Sequence, residues 1–169
     1  MKYLKLLILL ICISQITTSC NSGAANKPAE TNVQGKNHMS MKINGKLWEA
    51  NNDVSGAFHP KGYDQLIMMA GSFGPKNKDE QTFNINLYNA AGPGVYHLTP
   101  ETKDDSAVQL GNYTPENYLY GNVLGFDVTV RVIKSSSDPT VIEATFEGTL
   151  NGNASDVIKI TEGKFYYHE

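Results

Sequence analysis

The sequence is short of cysteine, of long apolar runs and of charge of one sign, and each shortage removes a class of function. Its 169 residues hold two cysteines, Cys12 and Cys20, and nothing after residue 20 carries a thiol. A catalytic cysteine, a redox Cys-x-x-Cys pair and a cysteine-ligated zinc finger are thereby excluded from the rest of the chain. The longest apolar run is Leu6–Ile13, eight residues against the ~20 that a helical membrane span needs. With 14 Lys+Arg against 17 Asp+Glu the formal net charge is −3. That balance excludes a nucleic-acid binder built on a basic face, and equally a highly charged disordered chain. A hydrophobic share of 40% is enough for a packed core, and the length fits one domain.

What is present begins with an address. Lys2 and Lys5 precede the apolar run, and a short polar stretch from Ser14 leads to Cys20. Charged start, short apolar centre and small residues before a cut are the layout of a secretory signal. Cys20 resembles the lipidated cysteine of bacterial lipoproteins, although Thr17 and Ser19 stand where the usual box has Leu and Ala or Gly. That resemblance implies cleavage before Cys20 and acylation of its thiol; simple secretion is the alternative. Residues 21–37 contain one large apolar residue, Val33, too little burial to offset the entropy of ordering. The expected organisation is a signal peptide over 1–19, a flexible tether over 20–37 and a single β domain over 38–169.

From Met39 onward the apolar residues alternate. Asn44-Gly45, flanked by Met41, Ile43 and Leu47, is a hairpin signal, because a type I′ turn needs positive φ at both central positions. Gln65–Phe73 reads as a strand. In Thr82–Tyr88, Phe83, Ile85 and Leu87 face one side and Asn84 and Asn86 the other. Further strands are expected at Val95–Leu98, Phe126–Ile133, Val141–Leu150 and Val157–His168, with a turn over Ser135–Pro139. No stretch shows helical spacing with caps. Alternation of this kind marks antiparallel sheet with one buried face. The expected fold is all-β, an antiparallel β-sandwich or partly open β-barrel of about eight to ten strands.

Thr145-Phe-Glu-Gly-Thr-Leu150 followed by Ile160-Thr-Glu-Gly-Lys-Phe165 resembles the C-terminal strand pair of small uncharacterised bacterial envelope lipoproteins, and Gly92-Pro-Gly-Val-Tyr96 their Gly-rich turn. The resemblance implies a β domain anchored in the cell envelope, with the outer membrane as the expected location. It carries no functional residue over.

Candidate chemistry is sparse. His38, His59, His97 and His168 are too far apart in sequence for a zinc spacing, so no metal and no cofactor is expected. No nucleophile elbow, Ser-x-x-Lys or His-Glu-x-x-His is present, and no catalytic residue is assigned. Asp104-Asp105 reads as a loop. Asp105-Ser106-Ala107 matches a short O-glycosylation sequence, which a plain loop accounts for, and Asn112-Tyr-Thr114 and Asn153-Ala-Ser155 match N-glycosylation sequons, which mean little in a chain that looks bacterial. The dense segment is Gly111–Asn122, where Tyr113, Tyr118 and Tyr120 lie among Asn112 and Asn117. Tyrosine offers a large contact surface at low entropy cost, and amides read hydroxyls. Those five residues are the candidate ligand contacts, against the plainer reading that the tyrosines cover the end of the fold with their rings on the core.

The expected function is a lipid-anchored, non-catalytic binding or structural module. Its expected partner is the membrane through Cys20, with no nucleic acid, and the ligand or protein partner is left open. The alternatives are a glycan- or peptide-binding accessory protein using Tyr113–Tyr120, and a small hydrolase or inhibitor whose site is dispersed in sequence.

Overall fold

The computed structural model describes residues 36–62, 65–101 and 106–169. The signal segment, Cys20, most of the tether and the pair Asp104-Asp105 lie outside them. The described residues form eleven strands: β1 (His38–Ile43), β2 (Lys46–Glu49), β3 (Val54–His59), β4 (Leu66–Phe73), β5 (Gln81–Tyr88), β6 (Gly94–Leu98), β7 (Ala107–Gly111), β8 (Leu119–Gly121), β9 (Phe126–Ser137), β10 (Thr140–Asn151) and β11 (Val157–His168). They make two antiparallel sheets, ordered β2-β1-β11-β10-β9-β6 and β3-β4-β5-β7-β8. The sheets do not close into a barrel, so of the two expected architectures the sandwich is the one formed.

The core lies between the sheets. Met39, Met41 and Ile43 of β1, Val128, Val130 and Val132 of β9, and Ile142, Phe146 and Leu150 of β10 are buried from one side. Ile67, Met69, Phe83, Ile85, Leu87, Val108 and Leu110 are buried from the other. Each such side chain taken out of water contributes about 1.5–3 kcal/mol before entropy is counted. Trp48 of β2 is buried, with its ring 6.0 Å from that of Phe73 and its Nε1 donating to Gln81 Oε1 at 2.9 Å.

Three short strands are not among those expected: β3, which contains Gly56 and lacks clean alternation, β7, whose alternation is only Val108-Gln109-Leu110, and the three-residue β8. At the β9–β10 hairpin, pairing continues to Ser137 opposite Thr140, so the turn is tighter than the expected Ser135–Pro139. Asn44 and Gly45 take φ of 48° and 81°, as the hairpin requires, and Ile43 pairs with Lys46 across them.

The glycines of the C-terminal motif have a steric cause. The β10–β11 register shifts between Phe146 and Gly148. A Cβ on Gly163 would overlap the ring and carbonyl oxygen of Phe146, and one on Gly148 would overlap Asp127 O. Glycine at these places lets Phe146 turn inward and stack on Phe83 of the opposite sheet, centroids 5.5 Å apart. Such a pair adds about 0.5–1.5 kcal/mol beyond area burial.

One corner positions the site described below. After β2 the chain crosses to the other sheet, and the N–H groups of Asn51 and Asn52 both donate to Ser72 O, at 3.1 and 3.2 Å. Ser72 N donates to Asp53 O at 2.9 Å, which holds Asp53 beside the end of β4.

Candidate functional site

The tyrosine-rich segment is largely absorbed by the fold. Asn112 closes β7 with φ 57°, and its Nδ2 donates to Lys78 O at 3.1 Å and to Glu80 O at 2.9 Å. Tyr120 is 1% exposed and belongs to the core. The half-buried Tyr113 ring meets it edge to face, 5.9 Å between centroids. Tyr120 donates its hydroxyl proton to Asp156 Oδ2 at 2.5 Å, and Asn117 Nδ2 donates to the same oxygen at 3.0 Å. Asn117 is itself 8% exposed, and its Oδ1 accepts from Asn153 N at 2.8 Å. Burial raises the Tyr120 phenol above its ordinary value of 10.0, and the hydrogen bond to Asp156 raises it further. Burial alone raises Tyr113. Tyr118 differs, being 71% exposed.

The structure thus brings Tyr113, Tyr120 and Asn117 together with Asp156, a residue the sequence reading missed. The four pin the connection before β8 to the turn before β11. Of the five candidate contacts, only Tyr118 is exposed rather than half-buried or buried.

A different region is open. The outer face of the five-stranded sheet carries a depression of about 420 Å³. Strand register arranges its side chains in rows. One row runs Ser55, Ala70, Asn84, Gln109 across β3, β4, β5 and β7, and the next runs Ala57, Met68, Asn86, Ala107. On the other side Ser72 and Thr82 are paired with Gly111 beyond them. Short side chains at Ala70 and Ser72 leave room between the longer Met68, Asn84, Asn86 and Gln109.

The polar groups there differ in how far they are already used. Gln109 Oε1 accepts from Asn122 Nδ2 at 3.1 Å. Ser72 Oγ accepts from Asp53 N at 3.3 Å. Ser72 and Asn52 hydrogen-bond Glu80 and, with the nearby Lys76 ammonium, hold its carboxyl below the ordinary 4.5. Asp53 Oδ2 lies 3.7 Å from Lys76 Nζ. By contrast the side chains of Asn84 and Asn86, both half-buried on the central strand, have no hydrogen-bond partner among the described residues. A sequence signal for them existed. Asparagine is disfavoured in strands, and two at i, i+2 on the solvent side of a central strand depart from that preference.

This arrangement can hydrogen-bond and make apolar contact. Within the depression Asp53 is the one carboxylate, and no histidine lines it. Among the described residues no group of three or more His, Cys, Asp or Glu converges as metal ligands would. His38 Nδ1 lies 3.6 Å from Glu49, and His97 Nε2 lies 3.6 Å from Asp127, both pairs on the outer face of the other sheet. Ser106 is 7% exposed and its hydroxyl accepts from Tyr88 N at 3.1 Å, so the serine of the O-glycosylation match is turned into the fold. Comparison of the chain with protein-family models, with curated proteins and with solved structures finds no match.

Proposed function

We propose that the protein is a lipid-anchored component of a bacterial envelope whose sandwich is a non-catalytic binding module, with the depression on the five-stranded sheet as its ligand site. The observation that carries the binding half is the pair of half-buried amides, Asn84 and Asn86, with no partner among the described residues. Neither amide is among the fully buried unpaired atoms, so both reach solvent, and water or a ligand is what they are left to bond. The anchor half rests on Cys20 at the end of a signal-like segment and on the apolar-poor stretch that follows. Two or three acyl chains, at ~0.8 kcal/mol per buried CH₂, would give stable attachment.

Each half has its own test. Intact-mass measurement of the native protein should find acyl chains on Cys20, and Cys20→Ser should leave the membrane fraction; an unlipidated N-terminus overturns the anchor. For the ligand site, fractions of solubilised envelope polymer are added to the isotope-labelled chain. Movement of the side-chain NH₂ signals of Asn84 and Asn86 is expected. Signals unmoved by every fraction would remove the depression as a binding site.

A further inference from the structure

We infer that the ligand of this depression is a neutral, hydroxyl-rich chain (a glycan) laid along β5, with Asn84 and Asn86 reading its hydroxyls and Tyr88 stacking on one of its rings. The inference rests on the binding-module reading above and narrows it to a chemical class.

Charge comes first. The carboxylate in the lining, Asp53, is balanced by Lys76 at 3.7 Å, and the rest of the lining is amide, hydroxyl and apolar. An anionic ligand would find no uncommitted cation there, and a cationic one would have to compete with Lys76. A neutral occupant meets neither cost.

The donor and acceptor inventory comes next. A hydroxyl both donates and accepts, and a primary amide offers both an NH₂ and a carbonyl on one rigid plane. Asn84 and Asn86 repeat that pair on one face of one strand, about 6.8 Å apart by the rise of an antiparallel strand. A polymer with hydroxyls at regular intervals can meet both at once. Ser55 and Thr82 add hydroxyls beside them, and Ala70 and Met68 add apolar surface for the C–H faces of a sugar ring.

Tyr88 extends the same line. It is the next outward residue of β5 after Asn86, 38% exposed, and it pairs with Leu66 across the sheet. Tyr88 lies outside the lining itself, one outward position beyond Asn86, and offers a half-open ring of the sort on which sugar rings stack.

An extended peptide fits less well. Peptides added to sheets gain affinity from backbone pairing at an open edge. The depression lies over β4 and β5, whose backbone groups are already engaged by neighbouring strands on both sides. Recognition here has to go through side chains.

The test uses the full-length chain in detergent, with the Asn84 and Asn86 side-chain signals as readout. The probes are linear neutral oligosaccharides of glucose, xylose, mannose and N-acetylglucosamine, an anionic uronate oligomer, and neutral peptides of similar length. At least one neutral oligosaccharide should shift both signals. Asn84→Ala and Asn86→Ala should each weaken that binding by about tenfold, the loss of roughly one good hydrogen bond. Tyr88→Ala should weaken it comparably, with the thermal midpoint of both asparagine variants unchanged. Shifts with peptides or the uronate but not with neutral sugars overturn the glycan assignment and leave the binding module standing. Sugar binding that survives all three substitutions and is lost in Tyr118→Ala moves the site to the 112–120 segment and overturns the inference. No shift with any probe, together with no shift from envelope fractions, overturns both readings.

Discussion

Segment 112–122 and the outer face of β5 carry the same kinds of side chain, tyrosine and asparagine, in different states of use. In the segment, Tyr120 is inside the core, Asn112 bonds two backbone carbonyls, and Asn117 bridges Asp156 and Asn153. On β5, the side chains of Asn84 and Asn86 bond nothing among the described residues, and Tyr88 is partly open. Residue type and density are equal guides to a loop that binds and to a loop that folds. What separates them is whether the polar atoms are already satisfied within the chain.

The contrast predicts three effects of decreasing size. Tyr120→Ala empties a core position and should cost about 3–5 kcal/mol, in the range of other large aromatic truncations. Tyr118→Ala, at an exposed ring, should stay within about 0.5 kcal/mol. Equal effects from the two in denaturant unfolding would mean that the segment is not divided between core and surface as described.

Asn117→Ala removes the amide that holds Asp156 and Asn153 together. A loss of about 1–2 kcal/mol is expected, since the partners regain water only in part. A variant as stable as the parent would show that this bridge is incidental and that the segment is held by Tyr120 alone.

The smallest effect is in alkali. The Tyr120 phenol is raised above 10.0 in the folded chain, by burial first and by Asp156 second. The folded state therefore holds this proton more tightly than the unfolded state does. The stability it contributes is complete below the unfolded value, about pH 10, and is lost as pH rises through the folded value. Alkaline unfolding should shift to higher pH in Tyr120→Phe, once the stability of each variant at neutral pH is subtracted. Absorbance titration should show Tyr113 and Tyr120 ionising above the ordinary value of 10.0. If Tyr120 ionises at the ordinary value, the phenol is not buried as described.

The legible parts of the fold were those with a local cause. Alternation at Phe83, Ile85, Leu87 and at Val128, Val130, Val132 marked strands whose buried face is set by a period of two. Asn44-Gly45 marked its hairpin because positive φ is a property of those two residues. β3 and β8 were not legible, since Val54-Ser-Gly-Ala-Phe-His59 has no clean alternation and Leu119–Gly121 is too short to show one, and β7 offered only the short alternation Val108-Gln109-Leu110. The candidate site was half legible. Asn84 and Asn86 were visible as the polar side of a strand, but nothing in their neighbours told that they would lie in a depression.

Sequence by itself determined the strand character of this chain, the hairpin at Asn44-Gly45 and the signal-like start, because each depends on residues within a few positions of one another. The tertiary structure alone decided which strands are neighbours and which side chains are used up. Asp156 reaches Tyr120 and Asn117 from more than thirty positions away, and the depression is assembled from β3, β4, β5 and β7. Satisfaction of a hydrogen-bonding group is a property of what packs beside it, and in a sheet most of what packs beside a residue is distant in the chain.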